Sequence, residues 1–181
     1  MAGEQPHGTT SAGVDIFALT SGEVSVPSKS RSGGNKHGPN TFANYQDVHN
    51  RRMQDFIDEG FVISHNVRFG KPTGGYITLE GDIHVKGGIT VEVQKKLKIL
   101  SGKGPNAMVK TSEYSYHVYA DGRGNLFRYE NCDHRHHHHV HRYDFLRTWG
   151  PTGVDELQEN EVPTLSEVLD EVRDIYYQNE F

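Results

Sequence analysis

The chain of 181 residues has room for one ordinary domain and a tail, and its 34% hydrophobic content is low for a globular protein. No apolar run approaches the ~18–20 residues that span a bilayer, no basic segment leads into an apolar stretch at the N-terminus, and a single cysteine, Cys132, excludes an intramolecular disulfide framework; a cytoplasmic protein with no membrane partner is expected. The net charge of −5 hides a division, because residues 150–181 hold nine acids and one base, which leaves the first 149 residues at +3, a basic body suited to RNA or another polyanion.

Residues 1–40 are rich in Gly, Ser, Thr and Pro and read as a flexible extension, with a short strand-like run at 14–19. Residues 41–181 read as a single α+β domain. A first helix is expected at 41–59, capped by Asn40 or Thr41 and closed by Gly60, with Phe42, Tyr45, Val48, Phe56 and Ile57 near one face. Strand signals follow at 61–69, 75–85 and 89–100, with Gly87-Gly88 marking a short hairpin between the last two. Residues 108–120 alternate, with Tyr114, Tyr116 and Val118 on one face and Ser115, His117 and Tyr119 on the other. A turn at 121–125 leads into a returning strand at 126–131, and a further strand is expected at 140–147. A last helix begins at the capping box Thr164-Leu165-Ser166-Glu167, and Leu165, Val168, Leu169, Val172, Ile175 and Tyr176 make its apolar stripe. The fold class is therefore α+β: an antiparallel meander of five or six strands with an N-terminal and a C-terminal amphipathic helix packed on one face.

Twelve histidines are the outlier, and six of the ten residues at 133–142 are histidine. If the strand at 140 begins a little earlier, alternation places His137, His139, His141 and Tyr143 on one face and His138, Val140, Arg142 and Asp144 on the other. Such spacing suits two kinds of chemistry. Histidine titrates near neutral pH, so a pair can serve as general base and general acid. Alternatively, His137, His139 and His141 can converge on Zn²⁺ or Mn²⁺, with His117 or Asp133 as a further ligand.

Nearby groups suit phosphate chemistry. Arg128 can hold a phosphodiester by two-point contact, and Tyr114, Tyr116 and Tyr129 can stack on bases or pack in the sheet. His117 can complete an acid–base pair, and Lys86, Lys95, Lys96 and Lys98 can extend a cationic surface. There is no Walker or dinucleotide fingerprint and no serine elbow, and Cys132 reads as an incidental thiol or a reactive one.

Five motifs taken in order, Gly87-Gly88-Ile89, Tyr114-Ser115-Tyr116-His117, Phe127-Arg128-Tyr129-Glu130-Asn131, His138-His139-Val140-His141 and Pro163-Thr164-Leu165, give residues 79–177 a pattern that resembles the TumE family of toxin–antitoxin proteins. The resemblance implies a compact α+β core and the toxin half of a bacterial or archaeal pair, with a cognate antitoxin as partner. The matching positions are Arg128, Tyr129, His139 and His141. The chain departs from the family in its extension ahead of residue 79, in Glu130 where Asp is usual, and in its longer histidine run.

The expected function is thus a toxin-like, metal-independent ribonuclease without a cofactor. His139 or His141 is the general base, His117 the acid, Arg128 the electrostatic stabiliser and Tyr129 a further site residue. The alternatives are a metal-dependent hydrolase or nuclease using His137, His139 and His141, and a non-enzymatic module that binds a partner protein. A homo-oligomer is compatible with each.

Overall fold

The computed structural model describes residues 36–132, 137–143 and 151–178. The strand expected at 14–19 and the extension up to residue 35 lie outside the described residues. Nine strands form one antiparallel sheet: β1 (Asn40–Thr41), β2 (Val62–His65), β3 (Arg68–Phe69), β4 (Tyr76–Val85), β5 (Ile89–Ser101), β6 (Met108–Ala120), β7 (Gly124–Glu130), β8 (His139–Tyr143) and β9 (Pro151–Glu156). Their order is β2-β4-β5-β6-β7-β8-β9, with β3 also paired to β4 and β1 to β6.

The α+β class and the antiparallel meander agree with the reading of the sequence, but the count of five or six strands is corrected to nine among the described residues. The run at 61–69 is broken into β2 and β3. Asn66 turns there, and its Oδ1 accepts the Asp82 N–H at 2.7 Å. Gly81 makes room for this crossing: at φ 143° it has no side chain, and a Cβ would lie 2.7 Å from the Val67 Cα. Two-residue strands such as β1 and β3 carry no periodicity to detect, and β9 contains Pro151 and Gly153 and is exposed throughout.

The central strands form because apolar and polar residues alternate. Ile77, Leu79, Ile83 and Val85 on β4, Val91, Val93 and Leu97 on β5, and Tyr114, Tyr116 and Val118 on β6 are each at most 1% exposed. Register keeps these rows aligned, with Ile83 opposite Val91 and Val91 opposite Val118. Each large apolar side chain so buried contributes roughly 1.5–3 kcal/mol. A 3₁₀ turn at Lys86–Gly88 joins β4 to β5, and Gly87 and Gly88 take φ values of 77° and 67° there.

Helix α1 (Phe42–Asp58) is capped by Thr41, whose Oγ1 accepts the Asn44 N–H at 3.3 Å. It ends in a Schellman motif: Gly60 N–H donates to the Ile57 carbonyl and Phe61 N–H to the Phe56 carbonyl, at 2.8 and 3.0 Å. Helix α2 (Leu165–Gln178) starts at the expected capping box. The Thr164 N–H donates to Glu167 Oε2 at 2.8 Å, and the Glu167 N–H donates back to Thr164 Oγ1 at 3.3 Å. Met53 and Phe56 of α1 join Leu165, Val168, Leu169 and Val172 of α2 and the inward residues of β4–β8 in one core. Both helices therefore cover one face of the sheet and leave the other face to polar side chains.

Candidate functional site

Successive residues of a strand point to opposite faces. On β7, Phe127 and Tyr129 turn to the helices, so Arg128 and Glu130 turn away. On β8, Val140 turns to the helices, so His139 and His141 turn away. Pairing then sets the neighbours: Arg128 lies opposite His141, and Glu130 lies opposite His139. On the other flank His117 of β6 lies opposite Arg128, and Glu92 of β5 lies opposite His117. A row Glu92–His117–Arg128–His141 thus crosses four strands on the open face.

Within this row the side chains converge on one carboxylate oxygen. Glu130 Oε1 is 2.6 Å from Arg128 Nη2, 3.3 Å from His139 Nε2 and 3.1 Å from His141 Nε2. The two imidazoles meet edge to face with centroids 4.8 Å apart. His139 is buried, and its Nδ1–H donates to the His137 carbonyl at 2.9 Å, which fixes the tautomer and leaves Nε2 facing Glu130. His141 Nε2 is near Glu130 but out of line, so both ring nitrogens of His141 are buried without a hydrogen-bond partner, as is Arg128 Nε. Burial holds the His141 pKa below the ordinary histidine value, assisted by Arg128 and opposed by Glu130. A buried polar atom without a partner costs about 1–3 kcal/mol, so this cluster is not arranged for stability.

His117 sits one strand from Arg128 on the side away from His141. Its Nε2 donates to Asn125 Oδ1 at 2.9 Å and its Nδ1 is 3.7 Å from Glu92 Oε2. Both ring nitrogens face acceptors.

The same donors could hold a divalent ion. Tetrahedral coordination at ~2.0–2.1 Å sets ligand atoms about 3.3–3.4 Å apart. Glu130, His139 and His141 offer one atom each within 4.8 Å of one another, and the Nδ1–H bond of His139 is the outer contact that a metal-ligating imidazole needs. The structure does not bring His137 into this group with His139 and His141: it precedes β8, its side chain is exposed, and it contributes a carbonyl to His139. Glu130 takes the third place.

Tyr129 is also removed from the cluster. It lies on the helix face, where its hydroxyl donates to Glu171 Oε2 at 2.8 Å and accepts from Arg142 Nη2 at 3.2 Å. Burial, reinforced by Glu171, pushes its pKa up to about 12. Tyr114 and Tyr116 are buried on that same face and cannot stack on bases. Of the lysines, Lys95 is buried and Lys96 pairs with Glu113 at 2.7 Å. Cys132 donates its thiol to the Tyr114 carbonyl, and burial raises its pKa, the reverse of an activated nucleophile. Asp133 and Asp144 lie outside the described residues.

The residue that sequence reasoning missed is Glu130. The signal was its position two residues after Arg128 on one strand, which puts both on the same face. No protein-family model matches this chain, and no curated protein or solved structure matches it either.

Proposed function

We propose that the chain is a toxin-like ribonuclease that cleaves RNA by histidine acid–base chemistry without a metal. The supporting observation is the row His117–Arg128–His141, an arginine flanked on both sides by imidazoles, with Glu130 beside it. Each cross-strand step is about 4.5–5.5 Å, so the two imidazoles stand on either side of a phosphate held at Arg128. The Arg128 side chain is 35% exposed, so its guanidinium can meet a phosphate oxygen from the open side, while its buried Nε–H has no acceptor of its own.

In this reading the His141 ring, 17% exposed, turns a nitrogen out towards the substrate and takes the proton of the RNA 2′-hydroxyl as that oxygen attacks the adjacent phosphorus. The bond from phosphorus to the 5′-oxygen breaks, and His117 protonates the leaving oxygen. The products are a 2′,3′-cyclic phosphate and a 5′-hydroxyl. Arg128 neutralises charge that grows on the phosphoryl oxygens, a contact worth ~3–4 kcal/mol. Glu130 and His139 orient Arg128 and His141. The toxin role and the cognate antitoxin rest on the motif resemblance at 79–177, and the N-terminal extension belongs to neither argument.

A metal-dependent form of the same cleavage is favoured by one observation, the spacing of Glu130, His139 and His141 together with the His139–His137 contact. The test is cleavage of an RNA oligonucleotide by untagged protein, with and without EDTA. The expected result is cleavage that survives EDTA, spares the 2′-deoxy analogue and disappears in His139→Ala/His141→Ala with the circular dichroism unchanged. Stoichiometric zinc or manganese with EDTA-sensitive cleavage would replace this reading by the metal one. No turnover in either condition would leave the protein-binding module.

A further inference from the structure

On the helix side of the sheet, remote from the histidine row, α1, α2 and β4–β6 enclose a cavity of about 160 Å³. Its wall is mostly apolar, including Val48, Met53, Phe56 and Leu169, and its mouth is marked by Val48, 42% exposed. Of its lining lysines and arginine, Lys95 alone is buried. Lys95 is 6% exposed, and its ammonium lies 5.4 Å from the Tyr45 ring centre and 5.9 Å from that of Tyr116.

The cations at the rim have acids beside them. Lys36 pairs with Glu167 at 2.7 Å, Arg52 lies 3.7 Å from Asp55 and Lys110 3.7 Å from Glu159. Lys95 has no carboxylate within ion-pair distance among the described residues. The Lys95 ammonium meets the rings of Tyr45 and Tyr116 and hydrogen-bonds to their hydroxyls, neutral groups that satisfy its hydrogens without cancelling its charge. The field it leaves is visible in its neighbour: burial first, and Lys95 second, lower the pKa of His49 to about 4. The cavity is therefore positive inside, apolar in its walls and short of one negative charge.

We propose that this cavity binds a small organic anion, whose acidic group pairs with Lys95 and whose apolar body lies among Val48, Met53, Phe56 and Leu169. The volume sets the size, because a cavity of about 150 Å³ lined by apolar side chains accommodates one benzene ring. A neutral ring leaves the charge on Lys95 unanswered. A bare inorganic anion leaves the apolar wall empty. The proposal does not depend on the ribonuclease reading, since the two sites lie on opposite faces of the sheet.

The test uses the full chain with benzoate and phenyl phosphate as probes and benzamide as the neutral isostere, read by calorimetry and by NMR of the His49 ring. At least one anion is expected to bind saturably, at least about tenfold more tightly than benzamide. That anion raises the His49 pKa. Lys95→Met loses this preference, while His139→Ala/His141→Ala keeps it. If Lys95→Met does not fold, the His49 titration of the wild-type protein decides. Equal binding of benzamide and the anions, no saturable binding of either anion, or an unmoved His49 pKa overturns the proposal.

Discussion

Each face of the sheet carries an arginine and a glutamate at its histidine-rich end, and the two pairs are built differently. On the helix face Arg142 donates to Glu171 at 2.9 Å and to the Tyr129 hydroxyl, which itself donates to Glu171, so the three groups close a loop. On the open face Arg128 reaches Glu130, yet Arg128 Nε and both nitrogens of His141 end without partners. The closed loop ties α2 to β7 and β8. The open cluster keeps unspent hydrogen-bonding capacity just beneath the open face. The contrast teaches that two clusters of the same charge content can differ in how fully their hydrogen bonds are satisfied, and that the proposed site is the unsatisfied one.

The largest effect that would sharpen this contrast is expected from Glu130→Gln. It removes the charge on which Arg128, His139 and His141 converge, and RNA cleavage should fall by about 10²-fold or more while the melting temperature changes little. A large loss of stability with retained cleavage would place the open cluster in the structural class after all. Acid should act next, and on the helix face. The His49 pKa of about 4 lies below the ordinary value of 6.5, so between those limits the unfolded chain binds a proton that the folded protein refuses. Stability should therefore fall as pH drops from 6.5 towards 4, by at most about 3 kcal/mol from this group. His37, His138 and His141 shift in the same direction. Urea unfolding of wild type and His49→Gln across that window checks it, and the variant should show the shallower slope. The smallest effect is expected from Tyr129→Phe, which opens the closed loop. It should cost about 1–2 kcal/mol of stability and leave cleavage within a factor of two; a collapse in cleavage would return Tyr129 to the site.

The capping box at Thr164–Glu167 and the stripe of α2 were legible because both are local patterns with one physical reading. The strands at 76–120 were legible because period-two burial repeats over many residues. Strand β9 was not, since an edge strand with Pro151, Gly153 and acids buries nothing and so shows no alternation. The site was legible in half. His139 and His141 shared a face as their spacing required, whereas grouping Arg128 with Tyr129 overlooked that consecutive strand residues point apart. Lys95 was grouped with the solvated Lys96 and Lys98, although alternation places it with Val91, Val93 and Leu97 on the buried face.

Arg128, Glu130, His139 and His141 all come from one pair of adjacent strands, β7 and β8. Four of the five groups of the proposed site therefore occupy a single short stretch of the chain, 128–141, with His117 added from β6, while α1 and α2, at opposite ends of the domain, supply most of the cover of the core. Chemistry and stability are inherited separately in such an arrangement. Substitutions on the open face of the hairpin can alter that cluster without touching the helices, whose link to the same two strands runs through Tyr129 and Arg142 on the other face.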